Sequence, residues 1–157
     1  MTMRNLYVID TNALISFFAG VFQHAEGYRD APVLSKQATR IVNEAIVSPS
    51  TSIRLSIPMV VFVEIYEKWL RSEEFNRRFY YDVFTPLSRS ENIEIRSIDR
   101  EVLENLVDIG GCLKGHDIHD RLVLASAIAL QAPLISTDDK ITEYIHTNKG
   151  VIPGVIR

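Results

Sequence analysis

Short apolar segments alternate with amphipathic segments along the chain, and this alternation restricts the choice of fold. The first apolar run, 6–9, carries no charged residue, which is typical of a strand buried on both faces of a parallel sheet. Similar runs predict strands over 53–58, 92–98 and 132–137, with helices between them. Strands that alternate with helices form a parallel sheet covered by helices. The sequence therefore predicts a three-layer α/β/α sandwich with a mainly parallel central sheet.

Caps and apolar spacing predict where the helices begin and end. Thr11 or Asn12 is expected to cap a helix that ends at Gly20, and Asp99 to cap one that Gly110 ends. The polar stretch from Gly20 to Ser35 then forms a long connection, which we interpret as a lid, a partner surface or an insertion. Further helices are predicted over 35–47, 59–71, 72–87, 116–131 and from 138 onward, with a turn over 48–52.

Length and composition agree with one domain over 1–157. A chain of 157 residues that is 46% hydrophobic buries about 70% of its unfolded surface on folding. The formal net charge of −3 argues against a protein that coats nucleic acid through bulk positive charge, but it is compatible with a nuclease whose carboxylates hold cations. Cys112 is the only cysteine, which excludes an intramolecular disulfide and favours a cytoplasmic location. We predict neither export nor membrane insertion.

Four carboxylates stand where strands and helices meet. Asp10 and Asp138 each end an apolar strand, whereas Glu64 and Asp120 each lie near the start of a helix. Parallel sheets bind ligands at the carboxyl ends of their strands, so these acids are expected to converge. Their repulsion would weaken the fold unless cations intervened, and oxygen ligands favour Mg²⁺ or Mn²⁺ over zinc. Such ions activate water and neutralise phosphate charge, so the predicted chemistry is phosphodiester hydrolysis.

The segments around these acids are "VIDTNALI", "VVFVEIY", "HDIHDRLVLASA" and "PLISTDDKI". In this order they resemble the acidic motifs of PIN-domain ribonucleases, particularly VapC-like toxins of toxin–antitoxin pairs. The resemblance implies a metal-dependent endoribonuclease that uses Mg²⁺ or Mn²⁺, acts on RNA and is restrained by an antitoxin. It also implies metal ligands or catalytic residues at Asp10, Asn12, Glu64, Asp120 and Asp138, with Thr11 supporting the turn at the substrate-binding edge.

Neighbouring acids leave three of these assignments open. Asp139 could replace Asp138, although the resemblance favours Asp138, whose spacing from the apolar strand matches the pattern of the family. Asp117 lies one helical turn before Asp120, and both could face the site. Glu67 competes in the same way with Glu64.

Basic and aromatic residues follow Glu64. Lys68, Arg71 and Arg78 recur at three and seven residues, which predicts one helix face that is either solvated or in contact with the RNA backbone. The aromatic residues of 69–84 are interpreted as core, as a surface for a homodimer or an antitoxin, or as a platform for an unpaired base.

Other functions compete with the nuclease. His116 and His119 suggest zinc or an HD phosphohydrolase, but a pair of cysteine ligands is absent and only two other histidines remain, His24 and His146. A catalytically silent PIN-like module that binds RNA or protein is the main alternative. A metal-dependent phosphatase or a DNA nuclease could use the same carboxylates.

Overall fold

A computed structural model of the chain describes residues 5–29, 32–47, 52–111, 113 and 115–157. Cys112 and all but the last residue of the predicted turn at 48–52 lie outside the described residues, as do residues 30–31 of the connection.

The described residues form a parallel sheet of five strands in the order β3-β2-β1-β4-β5. Every strand pairs in parallel with its neighbours, so all the carboxyl ends lie at one edge. This finding and the flanking helices confirm the predicted α/β/α class. The strands are β1 Leu6–Ile9, β2 Arg54–Pro58, β3 Ile93–Arg96, β4 Leu134–Ile135 and β5 Val155–Ile156.

The first strand, β1, lies in the centre of the sheet. Tyr7 pairs with Leu55 of β2, and Val8 pairs with Leu134 of β4. Val8 and Ile9 have no exposed surface, as expected for an apolar strand covered on both faces. The residue that follows β1 therefore enters the middle of the carboxyl edge.

Helices flank the sheet, and side-chain caps begin many of them. The carboxylates of Asp10, Asp99, Asp117 and Asp138 each accept a hydrogen bond from a backbone N–H in the first turn of a helix, as does the hydroxyl of Ser72. The helices are α1 Thr11–Phe17, α2 Ala19–Phe22, α3 Lys36–Val47, α4 Met59–Lys68, α5 Glu73–Phe79, α6 Thr85–Arg89, α7 Arg100–Ile109, α8 Ile118–Leu130 and α9 Asp139–Thr147. One π-helical turn, Tyr80–Phe84, joins α5 to α6.

Several boundaries differ from the predicted ones. Gly20 does not end the first helical segment but lies within α2, which buries Phe22. The helix predicted over 59–71 ends at Lys68, because the non-helical segment 69–72 separates α4 from α5. Lys68, Arg71 and Arg78 consequently do not share one helix face, so that prediction is wrong.

The last strand was not predicted. β5 contains only Val155–Ile156, which is too short for a periodic pattern. Its backbone nevertheless completes the sheet edge, since the N–H of Ser136 donates to the carbonyl of Ile156 at 3.0 Å. Across the described ranges we find no helix with the length and apolar character needed to cross a membrane.

Candidate active site

Asp10 lies at the carboxyl end of β1 and is only 4% exposed. Its carboxylate caps α1 by accepting a hydrogen bond from the N–H of Ala13 at 2.8 Å. Burial, together with the charges of Asp120 and Asp138, raises the pKa of Asp10 to about 7, although hydrogen bonds from Ser136 and Ala13 oppose this increase. A buried carboxylate that faces two others is therefore held at the centre of the strand ends.

Asp120 and Asp138 come from α8 and from the residue before α9. Burial, and then the charges of Asp117 and Glu64, raise the pKa of Asp120 to about 6, although His116 opposes this increase. The backbone N–H of Asp138 donates a hydrogen bond to the hydroxyl of Ser136 at 3.1 Å, which holds the chain in place at this residue. Electrostatic interaction thus links all four predicted acids, through Asp10–Asp120, Asp10–Asp138 and Asp120–Glu64.

Glu64 lies on α4 and is buried, with 6% of its surface exposed. The hydroxyl of Thr11 donates to its Oε2 at 3.0 Å, and the ammonium of Lys68 lies 2.9 Å from its Oε1. Lys68 also lies 3.5 Å from Asp117. Burial alone would lower the pKa of Lys68, but Glu64 and Asp117 outweigh it and raise the pKa. One side of the acidic cluster therefore already has a cation of its own.

The two histidines next to the cluster face different acids. His116 Nε2 lies 3.2 Å from both carboxylate oxygens of Asp138. His119 Nε2 lies 3.4 Å from Glu67, and its Nδ1 lies 3.5 Å from Asp117. The pair does not converge on one point, which argues against a zinc site built from both.

The donor atoms of the site can hold a divalent ion. In one group, atoms of His116, Asp120 and Asp138 lie within 4.8 Å of one another, and in a second, atoms of Glu64, Asp117 and His119 do so. Asp10 adjoins the first group through its interactions with Asp120 and Asp138. Carboxylate oxygens predominate, and an ion there would offset the burial and the repulsion that together raise the pKa of Asp10.

The neighbouring acids take other positions. Asp139 has a side chain that is 91% exposed and pairs with Arg157. Glu67 has a side chain that is 55% exposed, against 7% for Glu64. Asp117 is half-exposed and caps α8, where burial is outweighed by the N–H of Asp120 and the charge of Lys68, which lower its pKa. Asp138 and Glu64 therefore fit the centre of the cluster better than their neighbours.

An open cavity of about 490 Å³ gives access to the acids and is lined by Gly115, His116, Asp117, Asp120, Asp138, Asp139 and Lys140. A second cavity, of about 400 Å³, is lined by Glu26, Gly27, Lys68, Trp69 and Arg71. Lys68 also bonds to Glu64, so this basic and aromatic cavity adjoins the acidic cluster.

The remaining predicted site residues lie farther out. Asn12 is exposed in the first turn of α1. Arg71 is exposed in the non-helical segment between α4 and α5, and Arg78 is exposed on α5.

Sequence reasoning missed the partners that hold the acids. Ser136 is fully buried and bonds to both Asp10 and Asp138. A serine at the end of an apolar strand gave a signal, since a buried hydroxyl requires a hydrogen-bond partner. The contact between His116 and Asp138 spans 22 positions and had no local signal.

Comparisons with known proteins agree with this architecture. The PIN domain family matches residues 7–146. The VapBC2 structure from Rickettsia felis, bound to a promoter DNA fragment, superposes with a TM-score of 0.61 at 15% identity, covering 96% of each chain. VapBC-1 from nontypeable Haemophilus influenzae gives 0.59 at 16% identity, covering 90% of this chain and 93% of that one. FitAcB from Neisseria gonorrhoeae gives 0.58 at 13% identity over 96% of each chain.

Among curated protein sequences there is no significant match. The structural likenesses, at these identities, concern the fold, and the family match extends over most of the chain. The chain belongs to the PIN-domain family.

Proposed function

We propose that this protein is a metal-dependent endoribonuclease that hydrolyses RNA phosphodiester bonds. The observation that carries the proposal is Asp10, a buried carboxylate that ends the central strand and faces Asp120 and Asp138. This arrangement lowers the free energy of unfolding unless a cation is bound. Because the chain belongs to a family of nucleases, a cation bound there would serve catalysis.

Asp10, Asp120 and Asp138 would hold Mg²⁺ or Mn²⁺, with Glu64 as a ligand of the ion or of its waters. The bound ion supplies a more acidic water and neutralises charge on the phosphate. Ser136 would link the carboxylate of Asp10 to the backbone of Asp138, and Thr11 would orient Glu64. Asn12, an exposed residue in the first turn of α1, would orient Asp10 or a water.

The RNA backbone would approach from the side of Lys68, Arg71 and Arg78. Trp69 shares a cavity with Lys68 and Arg71, which suits a stacked base next to a contacted phosphate. Arg78 is farther along α5 and would contact a more distant phosphate.

We also propose that the protein is the toxin of a toxin–antitoxin pair in the cytoplasm, acting as one domain and as a homodimer. Two similar structures, a toxin–antitoxin complex from Klebsiella pneumoniae and a member of the VapBC family of toxin–antitoxin systems from Mycobacterium tuberculosis, share the fold over nearly the whole chain. Tyr80 and Tyr81 are 54% and 64% exposed, which supports a protein partner at the π-helical turn.

One observation favours the alternative of a silent RNA- or protein-binding module. Lys68 already neutralises Glu64 and Asp117, as a lysine would in a site that holds no metal there. Such a module would bind RNA or protein equally well with and without a chelator.

The test incubates the wild type with pooled RNA, DNA and small phosphate esters in Mg²⁺, Mn²⁺ or chelator. We expect metal-dependent cuts in RNA that fall at least about a hundredfold in Asp10→Asn and Asp138→Asn. Asp139→Asn is the matched control, because that side chain is exposed and should be dispensable.

Equal cleavage by Asp10→Asn and the wild type would overturn the proposal. Binding of RNA without any cleavage would favour the silent module. Cleavage of DNA or esters but not RNA would assign the site to the other hydrolase classes.

A further inference from the structure

His116 precedes α8 and is nearly enclosed, with 6% of its side chain exposed. It lines the cavity that gives access to the acids, and its Nε2 is directed at the carboxylate of Asp138. The four acids of the proposed nuclease do not require a histidine at this position. A buried imidazole among proposed metal ligands therefore needs its own explanation.

The distance from His116 to Asp138 matches that between two adjacent ligands of one ion, and Asp120 lies nearby. Two adjacent ligands of an octahedral ion at bond lengths of about 2.1 Å lie about 3.0 Å apart, and opposite ligands about 4.2 Å apart. His116 Nε2 is 3.2 Å from each oxygen of Asp138, and the donor atoms of His116, Asp120 and Asp138 all lie within 4.8 Å of one another. A hydrogen bond alone accounts for the first distance but does not require the proximity of Asp120.

The chemistry of imidazole then determines which ion is preferred. Mg²⁺ prefers oxygen ligands and retains its waters, whereas imidazole binds the transition metals better. We propose that His116 is a metal ligand together with Asp120 and Asp138, and that it makes the site select Mn²⁺ over Mg²⁺. This inference rests on the proposed function, since it assigns a further ligand and an ion to the same site.

Pulsed electron paramagnetic resonance of bound Mn²⁺ tests the assignment directly. The wild-type protein is loaded with one equivalent of Mn²⁺, once with natural histidine and once with ¹⁵N-histidine. A coordinated imidazole couples its nitrogen to the electron spin, and the coupling changes with the isotope. We expect this coupling in the wild type and in His119→Gln, and its loss in His116→Gln.

Calorimetric titration supplies a second readout. We expect His116→Gln to weaken Mn²⁺ binding by about tenfold and Mg²⁺ binding much less. The preference for Mn²⁺ over Mg²⁺ should therefore decrease. His119→Gln is the matched control, because His119 lies in the other group of donors, with Glu64 and Asp117. The wild-type spectra do not depend on whether either variant folds.

The outcomes separate this inference from the proposed function. Mn²⁺ that binds and supports RNA cleavage without nitrogen coupling would overturn the role of His116 and leave the nuclease intact. Coupling that persists in His116→Gln but disappears in His119→Gln would move the ion to the other group and also overturn it. Failure of Mn²⁺ to bind at all would overturn the inference and remove the support for a metal-dependent nuclease.

Discussion

At the scale of single residues, two acids of the site also stabilise the fold. Asp10 and Asp138 each cap a helix with the carboxylate proposed to bind metal. Asparagine is also a good cap, so Asp10→Asn keeps the hydrogen bond to Ala13 and removes only the charge. This substitution therefore separates the charge from the local structure.

We expect Asp10→Asn to change how stability depends on pH in the metal-free protein. The folded-state pKa of Asp10 is about 7, above the ordinary value of 3.8, so the folded state holds the proton more firmly than the unfolded state. The free energy of unfolding should fall as pH rises from 4 to 7, by about 2–3 kcal/mol between pH 5 and pH 8 for this group. Urea unfolding at both pH values should show a smaller fall in the variant.

The exposed Asp108 on α7 provides a matched control, since Asp108→Asn should keep the wild-type dependence. Parallel curves for wild type and Asp10→Asn would contradict the prediction.

Thr11 is the second residue whose role can be isolated. Its hydroxyl is buried and donates to Glu64, and a hydrogen bond to a charged group contributes about 1.5–3 kcal/mol. Thr11→Val should therefore lower the free energy of unfolding by about that amount and reduce RNA cleavage, as measured by urea unfolding and cleavage rates.

Thr11→Ser keeps a hydroxyl and should restore most of both quantities. Equal losses in Thr11→Val and Thr11→Ser would show that the methyl packing, and not the bond to Glu64, is what matters.

At the scale of elements, the segment predicted as a polar connection contains part of the core. Phe22 of α2 has no exposed surface and meets the rings of Trp69, Phe75 and Phe79 at centroid distances of 5.6–6.1 Å. These contacts pack α2 against Trp69 in the non-helical segment after α4, and against α5. The aromatic residues of 69–84 therefore divide, with Phe75 and Phe79 buried and Tyr80 and Tyr81 exposed.

Phe22→Ala should lower the free energy of unfolding by about 3–5 kcal/mol, because it leaves a cavity among three rings. Val33→Ala is the control in the same connection, since Val33 is 89% exposed and should change stability by less than about 0.5 kcal/mol. Urea unfolding of both variants measures the difference. Similarly small effects would mean that α2 is not part of the cooperative fold.

At the scale of the whole molecule, the proposed homodimer can be tested at the exposed tyrosines. Replacing Tyr80 and Tyr81 with lysine should convert a dimer to a monomer in sedimentation, because charge is disfavoured in the centre of an interface. Tyr66→Lys is the comparison, since Tyr66 is also exposed but lies on α4. A wild-type monomer, or a dimer unaffected by the tyrosine changes, would refute this surface.

Much of the fold could be predicted because apolar runs and caps are local signals. Asp10 and Asp138 followed from the rule that parallel strands end at one edge, and the structure places both there. Lys68 could not be assigned in this way, because its pairing with Asp117 depends on how α4 packs on α8. Such contacts depend on tertiary packing, so no periodic pattern in the sequence predicts them.

The sheet order has a consequence for how the site is assembled in time. Among the strands of the described residues, β1 is the first in chain order, whereas β4 and β5, which complete one side of the sheet, are the last two. Ser136, which bridges Asp10 and Asp138, is itself held by the carbonyl of Ile156 on β5. Pairings between strands so distant in the chain are slow to form, because the entropy of closing the long loop opposes them. During synthesis, Asp10 is translated long before Asp138, β4 and β5. The acidic cluster therefore cannot form until the chain has been translated through β5.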